Sequence, residues 1–448
     1  MRQRDSIGWL AAAIIVLCLP AAANAGSSAK PPSNHVHRAR HACTRTHAHR
    51  DHRIPSSHAR PTTSAPAAAS AVAPITVPPP TGTIYYVSPA GSDAASGTSP
   101  AEAWQTVEQV DRASLQPGDE VLFEGGATFS DDALMPGWGE SASGTSAAPI
   151  GFGSYGQGQA RITQGVWFKS DNNLAFQNLT LGADSGIAGA GFQGSGEGIT
   201  ILHTTIEHAS LGINAAGASW RIAGNTINDT GDSGMLLGYT AGAPGEPAGG
   251  NDFLVTGNTI TNTGLNAAIT YGTHGIYDKV TNSTITDNTI SHFADDGISV
   301  RYRDSTISDN HLSYGAIGLA WFQYDTTAGT SKWIDNSISH VSAAGIFVCG
   351  VRQGCLRALE SFQISGGAIT DYGASEMNLQ PTSGTYSVAQ KPSPSRSHSL
   401  RLARREPSRE GPRPCAGRLA ALTRVGDRED PAVGLERRGF RSLRFARR

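Results

Sequence analysis

From about Ile162, short runs of alternating Ile, Val and Leu are separated by Gly and Asn turns, and the chain becomes self-similar. The phrase apolar–x–x–Asn–(Thr/Ser)–Ile recurs around Asn225, Asn258, Asn288 and Asn336, with a looser copy at Asn310. Successive asparagines lie 33, 30, 22 and 26 residues apart. The shortest spacing is about one bare coil, and the others are a coil plus a loop. Residues 273–290 and 295–312 match without a gap at an offset of 22, with seven identities in 18 positions. Three-to-five-residue strands stacked at such a period describe a solenoid in which each repeat Ile points inward onto its neighbour. The asparagines are expected to take up left-handed backbone and to hydrogen-bond along the stack. A propeller or sandwich would need longer alternating strands and hairpin turns. The predicted fold is therefore all-β, a right-handed parallel β-helix over residues 83–385.

Ahead of the repeats, a β-rich start at Thr83 is followed by a Gly/Ser/Asp loop and an amphipathic helix. Trp104, Val107 and Val110 recur three apart on one face of that helix, so residues 83–125 read as an N-terminal cap over the open core. Trp167 reads as core. Residues 1–25 read as a secretory signal: Arg2 and Arg4, an apolar run from Trp9 to Leu19, then Ala23-Asn24-Ala25. The protein is thus expected outside the cell, without a transmembrane anchor. Residues 26–82 have no apolar periodicity and read as a disordered spacer. Seven histidines between His35 and His58 alternate with arginines and lack regular ligand spacing, which fits a basic arm better than a metal site.

Charge is segregated: +7 over residues 1–82, −19 over 83–385 and +10 over 386–448. The acidic centre excludes nucleic acid as its partner, because phosphate binding needs a basic footprint. The last segment carries 15 arginines from Arg396 onward and none of the repeat pattern, so it resembles an out-of-frame reading. Translating the other frames of the coding DNA should then recover further repeats. Cys349 and Cys355 bracket a short Gly-containing loop and are expected to close a local disulfide.

The segment Tyr85-Tyr86-Val87-Ser88, the Gln116-Pro117-Gly118-Asp119 turn and the Asn-Thr-Ile coils resemble the pectate-lyase-like right-handed β-helix superfamily of secreted bacterial proteins. That resemblance implies the fold, but its members range from lyases and hydrolases to epimerases, tailspikes and adhesins, so function rests on the site. The 22-residue offset stacks His274 on Asp296, Tyr277 on Ser299, Lys279 on Arg301 and Thr281 on Arg303. With Ile276 and Ile298 inward, alternation sends Tyr277, Lys279, Ser299, Arg301 and Arg303 outward. Asp278 falls in phase with Val300, so the strand is expected to bend there. Lys332 is a further cation that would approach.

Such a cluster suits β-elimination on a uronate: Arg neutralises the carboxylate and Lys removes the proton. The resemblance to the chondroitinase B and alginate lyase branch implies those roles for Lys279 and Arg301, with Ca2+. However, the coil at Gly234–Tyr239 offers no carboxylates for calcium, and the Asp-Pro-His-Asp signature of the epimerase branch is absent, so the metal ligands stay unknown. His274 and Tyr277 offer an alternative base and acid. Arg303, Asp296, Trp321 and Tyr324 are candidate substrate contacts. The expected function is a polysaccharide lyase on an acidic polysaccharide, acting as a monomer. The alternatives are a hydrolase using Asp295 and Asp296, or a non-catalytic glycan-binding adhesin.

Overall fold

The computed structural model describes residues 72–389, apart from 138–141, 184, 188–190, 242–246, 270–271, 325–326, 350–358 and 381–383. The signal, nearly all of the spacer and the Arg-rich tail lie outside the described residues. Every named strand pair is parallel, and strands stack coil upon coil from Ile84–Val87 to Tyr386–Val388. A 12-stranded sheet forms one face of the solenoid. An 18-stranded sheet bends round a corner to form the second and third faces. One coil shows the plan: Thr284–Thr286 on the first face, Thr289–Ser291 on the second, Asp296–Val300 on the third. In two later coils the second and third strands fuse into His311–Trp321 and Ser337–Val348. These are longer than the strands the sequence predicts, because backbone pairing continues through the corner.

The repeat Ile positions pack as expected. Ile206, Ile227, Ile260, Ile290, Leu312 and Ile338 are in register on the second face and fully buried. Full burial of one such side chain stabilises by about 1.5–3 kcal/mol, so the column is a main source of cohesion. Phe152, Phe176, Phe168, Trp220 and Phe253 add an internal aromatic stack with centroids 5.1–5.9 Å apart. At the N-terminal end the helix Val107–Asp111 buries Val107 and Val110 in the same core, and Thr106 caps it by accepting from Gln109 N (3.1 Å).

The asparagines form the ladder that the repeat predicts. Asn225, Asn258, Asn288 and Asn310 each donate from Nδ2 to Oδ1 of the next, at 2.9–3.0 Å, ending on Asn336. Each Oδ1 from Asn258 to Asn336 also accepts the backbone N–H of the preceding asparagine. One correction concerns backbone conformation. The left-handed residue is the one before each asparagine: Gly224, Gly257, Asp287, Asp309 and Asp335, with φ of 54–64°. Gly and Asp tolerate this region, which frees the asparagine to turn its amide into the stack.

Candidate functional site

The third face brings together the residues singled out by the 22-residue offset. Tyr277 pairs with Ser299 and Asp278 with Val300, as that register requires. No bend intervenes at Asp278. Its carboxylate sits inside the solenoid, fully buried, accepting from Val280 N (3.1 Å) and Ser283 Oγ (2.6 Å). Burial pushes its pKa up to about 6, against the lowering effect of these hydrogen bonds and of Arg301. A carboxyl group raised in the folded state stabilises below its unfolded pKa near 3.8, and that stability is lost as pH rises through about 6. Asp278→Asn is thus expected to flatten the fall in melting temperature between pH 4 and 6.5, an effect seen by thermal melts against pH. An unchanged slope would exclude Asp278 as its source.

The outward row is more covered than the sequence reading expects. Tyr277, Lys279, Ser299 and Arg301 all point away from the apolar core, yet each is 8% exposed or less. The cover comes partly from the segment after Gly238: Lys279 Nζ donates to Ala241 O (3.3 Å), and Tyr302 Oη to Pro247 O (3.2 Å). Aromatic rings supply the rest. Lys279 Nζ lies 4.5 Å and Arg301 Cζ 4.6 Å from the Tyr277 ring centroid. Arg301 also faces Phe322 (4.6 Å) and Tyr324 (5.5 Å). Two cations repel across one coil, and a shared ring face offsets part of that cost.

Beside this cage lies an acid–imidazole group. Arg301 Nη1 donates to Ser299 Oγ (2.7 Å), and Ser299 Oγ donates to Asp296 Oδ2 (2.6 Å). Asp296 N donates to His274 Nδ1 (3.3 Å), which stands 3.4 Å from Asp296 Oδ2. Because Nδ1 accepts, a neutral His274 carries its proton on Nε2. The His274 ring packs edge-on against Tyr277 (4.7 Å), and His274 N is held by Ser233 Oγ (3.0 Å). Asp295 is half-buried, with Oδ2 accepting from Gly272 N (3.3 Å). Burial raises the pKa of both carboxyls. Asp296 is pushed to about 7 by burial and by the Asp295 charge, against Ser299 and Arg301, which lower it.

One atom each from His274, Asp295 and Asp296 lie within 4.8 Å of one another, the only such group among the described residues. This set does not fit the calcium expected from the family resemblance, since calcium takes six to eight oxygens. One imidazole and two carboxylates beside a guanidinium supply too few.

Several predicted contacts fall elsewhere. Trp321 is a core residue, in register with Val300 and Val348 and packed edge-on against Phe362. Phe322, not Trp321, joins Tyr324 at the Arg301 guanidinium. Arg303 stands past the end of the strand, its Nε 3.3 Å from Asp304 Oδ2. Lys332 is exposed on the first face, paired with Thr306 and Gln363, and does not approach the cluster. Trp167 is not core: it is 40% exposed. Cys349 is buried and disulfide-bonded, while Cys355 lies outside the described residues. Of the aromatic trio Trp321, Phe322 and Tyr324, alternation requires at least one in the core, and that one is Trp321; Ser299 is the contributor that the sequence reading left without a role. Among the described residues no helix is long and apolar enough to cross a membrane.

All-parallel coils around one apolar core define the class of this chain: a parallel β-helix. Residues 194–356 match the family described as right handed beta helix region, and that stretch carries the whole cluster. A relative, the lacto-N-biosidase of Bifidobacterium longum subsp. longum, is 41% identical over 78 residues, which are 17% of this chain and 5% of that protein. The chain therefore spans only a small part of that relative's length. Among solved structures, the GH136 lacto-N-biosidase from Eubacterium ramulus has 13% identity, covers 69% of this chain and 67% of its own, and gives a TM-score of 0.47. The alginate lyase from Paenibacillus sp. str. FPU-7 has 17% identity, covers 63% and 97% respectively, and gives 0.35.

Proposed function

We propose that the protein is a secreted, carbohydrate-active β-helix enzyme that hydrolyses a glycosidic bond through the Asp295–Asp296 pair. The observation that carries this reading is the juxtaposition of a half-buried and a buried carboxyl group beside His274. Two carboxyls this close, both raised by burial, hold one proton between them near neutral pH. One member then serves as acid and the other as nucleophile or base, the division of labour in glycoside hydrolysis. The short likeness to a lacto-N-biosidase goes the same way, and the signal-like N-terminus supports export.

The local charge favours a neutral glycan over a uronate. Arg301 is within electrostatic reach of three carboxyls, Asp278, Asp295 and Asp296, and the Lys279 amine is engaged by Ala241 O. The lyase reading rests on one observation, the placement of Lys279 and Arg301 on neighbouring coils around Tyr277. Incubation with neutral glycans, alginate, pectate and glycosaminoglycans separates the two. New reducing ends without ultraviolet absorbance support hydrolysis. Absorbance of an unsaturated uronide overturns it in favour of elimination, and binding without turnover overturns both in favour of an adhesin.

A further inference from the structure

The strand Val166–Lys169 alternates cleanly: Val166 and Phe168 point into the core, while Trp167 and Lys169 point out and are exposed. Phe168 joins the internal aromatic stack, so Trp167 is on the outer surface by register and not by a local slip. Among the described residues five large apolar side chains stand out as exposed: Val72, Trp167, Leu265, Tyr314 and Val388. Tyr314 is accounted for, because His292 (4.7 Å) and His340 (4.5 Å) stack on it. Trp167 has no ring partner among the described residues. A half-exposed indole on a rigid strand offers a flat, partly apolar face of the kind a sugar ring stacks on.

The register says what lies next to it. Trp167 pairs with Gln193, Gln193 with Asn214, Asn214 with Leu236, and Leu236 with Tyr277 of the acid–imidazole cluster. Trp167 and Tyr277 therefore share one outward column, four coils apart, roughly 19 Å along the axis at 4.8 Å per coil. Between them, Asn214 Oδ1 is buried without a hydrogen-bond partner. The column from Trp167 to Asn214 holds an aromatic face, two amides and no carboxylate.

We infer that Trp167, Gln193 and Asn214 form a distal subsite for a neutral glycan that runs along the solenoid axis toward Asp295 and Asp296. The inference rests on the proposed function for its direction, and deepens it by naming the substrate class. A sugar ring stacks on Trp167, beside the half-buried amides of Gln193 and Asn214 on the next two coils.

Affinity electrophoresis of the full chain in gels holding galactomannan, arabinoxylan or hydroxyethyl cellulose, with pectate as a charged control, tests this. At least one neutral polymer should retard the wild type. Trp167→Ala should weaken that retardation at least tenfold, and Trp167→Phe should keep most of it. Retardation by no neutral polymer, or equal retardation of wild type and Trp167→Ala, overturns the subsite. Trp167-dependent retardation without any turnover supports the subsite and overturns only the catalytic reading.

Discussion

Asp296→Asn is expected to lower turnover of the glycan substrate by at least a hundredfold, the usual contribution of a positioned acid–base group, with little change in KM. The wild-type rate should fall as pH rises through about 7, where Asp296 gives up its proton. Asparagine cannot titrate, so that limb should vanish from the residual activity. Stability gives an independent check. Asp296 is raised in the folded state, so its contribution is present at acid pH and lost as pH rises through about 7. The variant should therefore show a shallower fall in melting temperature than the wild type between pH 4 and 7. Full turnover with an unaltered pH profile would remove Asp296 from the chemistry.

Asn288→Leu should cost about 3–5 kcal/mol. Asn288 Nδ2 donates to Asn310 Oδ1, Val255 O and Thr286 O, and its Oδ1 accepts from Asn258 N and Nδ2. Leucine matches the volume but removes all five bonds and leaves Asn258 N without its side-chain acceptor, while Asn310 Oδ1, Thr286 O and Asn258 Nδ2 keep other partners. Urea unfolding should show a lower midpoint, and hydrogen exchange should quicken first in the coils between Val255 and Leu312. A midpoint within error of the wild type would mean that the ladder is ornamental to stability.

The fold was legible because a solenoid repeats its instructions. Period, inward Ile and ladder Asn are each written several times, so a single copy such as Asn310-His311-Leu312 can deviate without hiding the pattern. Contacts between neighbouring coils were legible for the same reason: an offset of 22 placed Tyr277 on Ser299 and His274 on Asp296. The next coil broke the rule. Ile298 pairs with Leu319, an offset of 21, because the corner around Gly315 is one residue shorter and carries a register shift. That lost residue turns Trp321 inward and Phe322 outward. Alternation counted from Leu319 would have found it.

The cover over Lys279 was less accessible to sequence reasoning. The segment after Gly238 has no periodicity, and only its landing points, Ala241 O on Lys279 and Pro247 O on Tyr302, show its course. Trp167 misled for another reason. A tryptophan between Val166 and Phe168 reads as core by composition, whereas strict alternation puts it on the opposite side from both.

The asparagine ladder also has a direction. All four rungs donate from the earlier coil to the later one, so their amide dipoles add along the axis instead of cancelling. Each rung polarises its neighbours, so the three interior asparagines gain more than the two at the ends. A row of this kind forms by zipping: the coils from Asn225 to Asn336 are expected to nucleate together and to be the last to melt. Coils beyond either end of the row lack that mutual reinforcement, and thermal fraying should begin there.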